Sequence, residues 1–226
     1  MDIFYSIVSF FTKGGYFMYP ILIVAALAAA IAIERYVTLS RLLVKNRSAW
    51  NDLEPTINDG NFDKTREVAG KGETAIARLM LVGLARQGAV RRIDDVEKAM
   101  RGSMLEIIPQ VEKRTHYLGT FANLATLLGL LGTVSGLIHA FTAVASANPA
   151  EKANLLAASI SEAMNCTAFG LMVAVPVLFI HAFLQTKTGE LMTSLETGAV
   201  KFLIAMGDRQ SSRTQNRLEL ARVANG

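Results

Sequence analysis

Cysteine is nearly missing from this 226-residue chain: only Cys166 is present, so no intrachain disulfide can form. The three histidines, His116, His139 and His181, lie far apart, and with one cysteine they offer no metal-ligand spacing. Between residues 34 and 114 there is no phosphate loop, no G-x-G-x-x-G and no pair of acids placed for catalysis. Alternating strand-like patterns are absent as well. The net charge is only +4, and the basic residues stand beside apolar segments, which fits membrane topology better than nucleic-acid binding. These absences leave no enzyme, cofactor or metal to argue for.

What is present is apolar length. Of all residues 51% are hydrophobic. No charge occurs between Lys13 and Glu34, and none from Thr115 to Ala150. From Ala153 to Thr186 the only charge is Glu162. Each run reaches the ~20 residues that cross a bilayer. The sequence therefore predicts an all-α integral membrane protein with three spans. Residues 1–13, with Phe4, Tyr5, Phe10 and Phe11, read as an interfacial helix, and 14–33 as the first span. Residues 34–114 read as a cytoplasmic helical domain, 115–147 as the second span and 148–152 as a periplasmic turn. The third span is 153–186, and 187–226 continue it as a helical extension and polar tail, mobile from Asp208. A cleaved signal peptide is the competing reading of the first run. The run is long, has no ordinary basic region before it and is followed at once by Arg35. Arg35, Arg41, Lys45 and Arg47 after the first span put the N-terminus in the periplasm and the C-terminus in the cytoplasm by the positive-inside rule.

Within 34–114, Arg41 to Leu53 reads as a helix stopped by Pro55 and the turn Asn58-Asp59-Gly60-Asn61. Phe62 to Ala69 and Glu73 to Arg86 follow, ended by Gly70 and Gly88. Ile93 to Arg114 carries Ile93, Val96, Met100, Leu105 and Ile108 as its stripe and runs on into the second span, with Pro109 as a kink.

The second span places Ala122, Thr126, Gly129, Thr133, Gly136, Ala140 and Ala143 at alternating four- and three-residue steps. That is one seam of a helix. Ser159, Ala163, Thr167, Gly170 and Ala174 make a similar seam on the third, with Glu162 and Cys166 beside it. Small residues allow close backbone packing in membranes, and Gly132-x-x-x-Gly136 is such a pattern. Packing alone explains the small residues. It does not explain Glu162. A carboxylate inside a span costs roughly 2.5–3.5 kcal/mol, so it belongs on an interior or watered surface and can bind a proton. Ala163 to Thr186 alone can span, which leaves the depth of Glu162 open between midplane and outer interface.

Gly129-Leu-Leu-Gly132-Thr133-Val-Ser-Gly136-Leu-Ile-His-Ala-Phe141 resembles the second membrane helix of the ExbB/TolQ/MotA proton-channel family. Ser161-Glu162-Ala163, Cys166-Thr167-Ala168-Phe169-Gly170-Leu171 and Ala174-Val-Pro176 resemble its third. Three spans and a large first cytoplasmic loop match the ExbB/TolQ branch better than the four-span MotA branch. Ser135 stands where many members have tryptophan, and Asn165-Cys166 where small apolar residues are commoner. The resemblance implies a homo-oligomeric ring, usually a pentamer, in the bacterial inner membrane. It would surround a dimer of a single-span ExbD/TolR-like partner and work with a TonB/TolA-like energy transducer. It implies that Thr133 and Thr167 face the partner's proton-carrying aspartate, that Glu162 stands at the periplasmic end of the same path, and that Pro176 bends the third helix. Gly129, Gly132, Gly136, Ala140, Ala163, Gly170 and Ala174 would be the packing and pore seam. A threonine hydroxyl suits such a path, since it donates and accepts hydrogen bonds without charge. Two rivals stand beside this reading. An intramembrane protease would use Ser135 with His139 or His181, but the Gly132–Ser135–Gly136 spacing is one residue too long for the rhomboid motif, and rhomboids have at least six spans. A structural scaffold without ion conduction would tolerate valine at Thr133 and Thr167.

Overall fold

The computed structural model describes residues 14–87 and 93–224. The expected interfacial helix at 1–13 and the expected stop at Gly88 lie outside the described residues. All regular structure among the described residues is helical: α1 Met18–Asn58, α2 Phe62–Gly70, α3 Ala75–Gln87, α4 Ile93–Glu112, α5 Thr115–Ser146 and α6 Lys152–Ala224. Among the described residues three helical stretches are long and apolar enough to cross a membrane; they begin at Met18, Ile93 and Lys152. The chain is an all-α, multi-pass membrane protein.

The helices outrun several stops expected from the sequence. α1 is one 41-residue helix that passes through Pro55 to Asn58. α4 likewise contains Pro109, and α6 contains Pro176. A proline inside a helix denies a hydrogen bond to the carbonyl four residues earlier. Here those carbonyls belong to Asn51, Leu105 and Met172, and these residues and their prolines all lie on exposed faces. The freed carbonyls therefore do not enter a packed core. The actual end of α1 is a glycine turn: Gly60 takes φ +65°, and the Asp59, Gly60 and Asn61 amides donate to the Pro55, Ile57 and Thr56 carbonyls. Nor does the helix break at Pro109 before the second span. The break is at Arg114, in the left-handed region at φ 67°. The polar tail from Asp208 continues as helix through Ala224.

The chain divides into two compact units. One contains the described residues up to Tyr36 together with Arg114–Gln185. In it α5 and α6 pack antiparallel, and Tyr36 meets Phe183 with ring centroids 6.2 Å apart. The Arg114 guanidinium donates to both Glu34 carboxylate oxygens at 2.9 and 2.8 Å. Arg35, the residue next to Glu34, is buried, although the charge pattern marks it as a boundary residue.

The other unit holds Val37–Lys113 and Thr186 onward. Its core is built from Leu53 and Ile57 of α1, Phe62 of α2, Ile76, Leu79, Met80 and Leu84 of α3, Val96, Met100 and Met104 of α4, and Leu195, Phe202 and Met206 of α6. The stripe of α4 differs from the expected one. Met104 is buried while Leu105 is 66% exposed, since five residues from Met100 overshoot the inner face. The helical domain is thus not formed by 34–114 alone; α6 supplies one wall. Asn46, Thr56 and Thr65 are satisfied locally inside it, whereas the buried Thr188 hydroxyl has no hydrogen-bond partner among the described residues. Asn46 of α1 donates to the Leu42 carbonyl at 2.9 Å and accepts from the Ile76 amide at 2.9 Å, which caps α3 from another helix. The Thr65 hydroxyl donates to that of Thr56 at 3.0 Å.

Candidate functional site

The α5–α6 hairpin brings two backbones together through glycines. A β-carbon on Gly129 would stand 3.2 Å from the Thr167 Cα and 3.3 Å from the Gly170 Cα. One on Gly170 would meet the Ala125 carbonyl oxygen at 2.6 Å, and one on Gly136 the Ala163 Cβ at 2.8 Å. Gly132 is filled from the other side by the Cys166 thiol. Further along, a β-carbon on Gly119 would stand 3.3 Å from the His181 ring. Each pair advances on one helix as it retreats on the other, the register of an antiparallel hairpin. Glycine is required at Gly129 and Gly170 because backbone lies opposite them.

The buried line of α5 is Leu118, Ala122, Ala125, Gly129, Gly132 and Ala140. It is turned slightly from the expected seam. Thr126 and Ala143 are exposed, and Thr133 and Gly136 are half-buried at its margin. On α6 the buried line is Ala163, Cys166, Phe169, Gly170, Ala174 and Val177, with Ser159 and Thr167 half-buried. Pro176 faces outward.

The polar residues stand at the edge of this packed seam. The Thr167 hydroxyl donates across the hairpin to the Gly129 carbonyl at 2.8 Å. The Thr133 hydroxyl donates to the Leu130 carbonyl of its own helix at 2.6 Å. Each hydroxyl proton is thereby engaged, and the oxygen lone pairs are left to accept from an outside donor. Glu162 is exposed on the single chain, one helical turn before Cys166. Its carboxylate packs on the backbone of Gly15, in the turn that opens α1. The same turn reaches α5: the Phe17 Cβ lies 3.3 Å from where a Gly132 β-carbon would be. The sequence gives Gly15 no role beyond the start of the first span, and no local pattern connects it to a residue so distant in the chain. Ser135 and Gly136 are half-buried and His139 is exposed.

Comparison with known proteins identifies the family. The model of the MotA/TolQ/ExbB proton channel family matches residues 71–197. The ExbB-like 1 protein of Synechocystis sp. is 31% identical over 201 residues, which cover 87% of this chain and 74% of that protein. ExbB-like 3 of the same organism is 25% identical over 190 residues, 79% of this chain and 90% of that protein. The Tol-Pal system protein TolQ of Haemophilus influenzae is 36% identical over 90 residues, 40% of this chain and 39% of that protein. Three apolar helices, a glycine-packed hairpin with its polar margin, and these matches place the chain in the MotA/TolQ/ExbB proton channel family, in its ExbB/TolQ branch.

Proposed function

We propose that this chain is the ring-forming subunit of an inner-membrane motor driven by the proton-motive force. In this reading several copies, five by family likeness, surround a dimer of a single-span ExbD/TolR-like partner and couple proton flow to work on the envelope through a TonB/TolA-like transducer. The N-terminus faces the periplasm and the C-terminus the cytoplasm. The observation that carries the reading is the polar margin of the hairpin. Thr133, Thr167 and Glu162 lie where a single chain would offer them to lipid, which is unfavourable, and where a second surface in the assembly would cover them. Leu130, Leu131, Val134, Ile138, Phe141, Met164 and Met172 around them are exposed apolar side chains suited to lipid or neighbouring helices.

The chemistry follows from the hydroxyl geometry. A partner aspartic acid, when protonated, donates to the free lone pairs of Thr167 or Thr133; on losing its proton it is no longer held by them. The small seam residues are taken up by the contact between α5 and α6, so the partner helix turns past the polar margin beside them. Glu162 exchanges protons with the periplasmic water. Pro176 loosens α6 toward the cytoplasmic end.

The experiment is the mass of the intact complex extracted from membranes after co-expression with the small single-span protein encoded beside this gene. Several copies of this chain with fewer of the partner support the motor. A monomer or a partner-free dimer contradicts it and favours a scaffold whose glycine seams serve packing alone.

A further inference from the structure

We infer that Gly15 is a positioning residue for the Glu162 carboxylate. The inference rests on the reading of Thr133, Thr167 and Glu162 as an ion path. Gly15 takes φ +75°, a conformation that side chains disfavour, so the turn itself calls for glycine. Space calls for it independently. A β-carbon on Gly15 would strike the Glu162 Oε1 and stand 3.1 Å from its Cδ and 3.3 Å from its Cγ. The carboxylate and the last methylene of Glu162 thus lie flat on bare backbone.

The turn is anchored at this spot. The Met18 amide donates to the Gly15 carbonyl at 3.3 Å, and Phe17 packs on Gly132, the residue before Thr133. Gly132 in turn receives the Cys166 thiol, one residue before Thr167. The turn that precedes α1 therefore reaches both helices of the polar margin. Exposed glutamates have three rotatable bonds and ordinarily sample many positions. This one has a floor on one side. Holding an ionisable group at the mouth of a path matters because a misplacement on the order of 1 Å is enough to impair transfer. The first helix, which carries no polar motif of its own, acquires a role as the part that sets where Glu162 stands.

The test is a double-substitution cycle read by proton flux in vesicles containing the assembled complex with its partner. Gly15→Ala is expected to lower flux by about tenfold by pushing the carboxylate aside. Glu162→Asp shortens the side chain by one methylene and is expected to lower flux by itself. In Gly15→Ala/Glu162→Asp the shorter side chain clears the new methyl group, so flux should exceed that of Gly15→Ala alone, a non-additive result. Gly60→Ala is the control, since Gly60 also takes a positive φ, +65°, but nothing stands within 4 Å of its β-carbon; its flux should stay near that of the unsubstituted protein. If Gly15→Ala fails to assemble, Gly15→Asn replaces it, because asparagine tolerates positive φ while still presenting a β-carbon to Glu162. Additive losses, or a Gly60→Ala loss equal to that of Gly15→Ala, overturn the inference while leaving the path intact. Unchanged flux in Thr133→Val and Thr167→Val removes the path itself, and the inference with it.

Discussion

The two units of this molecule solve packing in opposite ways. The unit of Val37–Lys113 and the α6 extension fills its core with Phe62, Ile76, Leu79, Met80, Met100 and Phe202, each nearly or fully buried. The hairpin unit buries Ala122, Ala125, Gly129, Gly132, Ala163 and Gly170 where α5 meets α6; it keeps some large residues inside, such as Leu118 and Leu184, but turns many outward, among them Leu130, Phe141, Met172 and Phe179. Water explains the difference. A domain bathed in water gains by hiding large apolar side chains. Helices in lipid gain nothing from that exchange and hold together by close contact between backbones. One unit should then fail when volume is removed, the other when volume is added.

The sequence supplies one probe for each. The single tryptophan, Trp50, packs on Gly198 and has the Lys201 ammonium 5.5 Å from its ring centre. The single cysteine, Cys166, is buried against Gly132. The largest effect is expected from Phe202→Ala. Phe202 is 0% exposed, meets Phe62 edge to face at 5.7 Å and fills the space beside Gly83. Its loss should destabilise the unit by about 3–5 kcal/mol, read as an earlier denaturant midpoint in Trp50 fluorescence with Cys166 labelling unchanged. Next comes Gly129→Val. Its side chain has backbone opposite it and should destabilise the hairpin by about 1–3 kcal/mol, seen as faster alkylation of Cys166 with the Trp50 transition unmoved. Either probe responding to the wrong substitution would break the comparison. Asn46→Ala leaves the Ile76 amide without its acceptor and should cost about 1–2 kcal/mol in the Trp50 transition. The smallest effect is electrostatic. Lys71, 2.7 Å from Glu67, holds that carboxyl below its ordinary value of 4.5. A lowered folded-state value adds stability above the unfolded value and loses it as pH falls through the folded one. Glu67→Gln should therefore lower the Trp50-reported stability slightly at neutral pH, flatten the profile on the acid side of pH 4.5 and make no difference once the carboxyl is protonated.

The spans were legible because uncharged length is a one-dimensional property, and the glycine seams because helical spacing survives in the sequence. Positions fixed by distant neighbours were not. Pro55, Pro109 and Pro176 look like stops or kinks when only propensity is read, and their outward placement depends on which face the rest of the chain covers. The choice of Met104 over Leu105 turns on a helical phase that short windows blur. The left-handed Arg114 carries no glycine or asparagine to announce it, and its guanidinium is tied to Glu34, 80 positions away. Gly15 beneath Glu162 belongs to the same class. The motif named Thr133, Thr167 and Glu162, yet nothing in it indicates that both hydroxyl protons are already engaged by carbonyls.

That engagement leads to the most direct test of the central claim. Proton flux should be measured in vesicles carrying the assembled complex, comparing the unsubstituted chain with Thr133→Val and Thr167→Val, each checked for unchanged mass. Valine keeps the shape and removes the lone pairs. The proton-path account predicts loss of flux in both with assembly intact. Flux equal to that of the unsubstituted complex would contradict it and leave the hairpin as a packing surface.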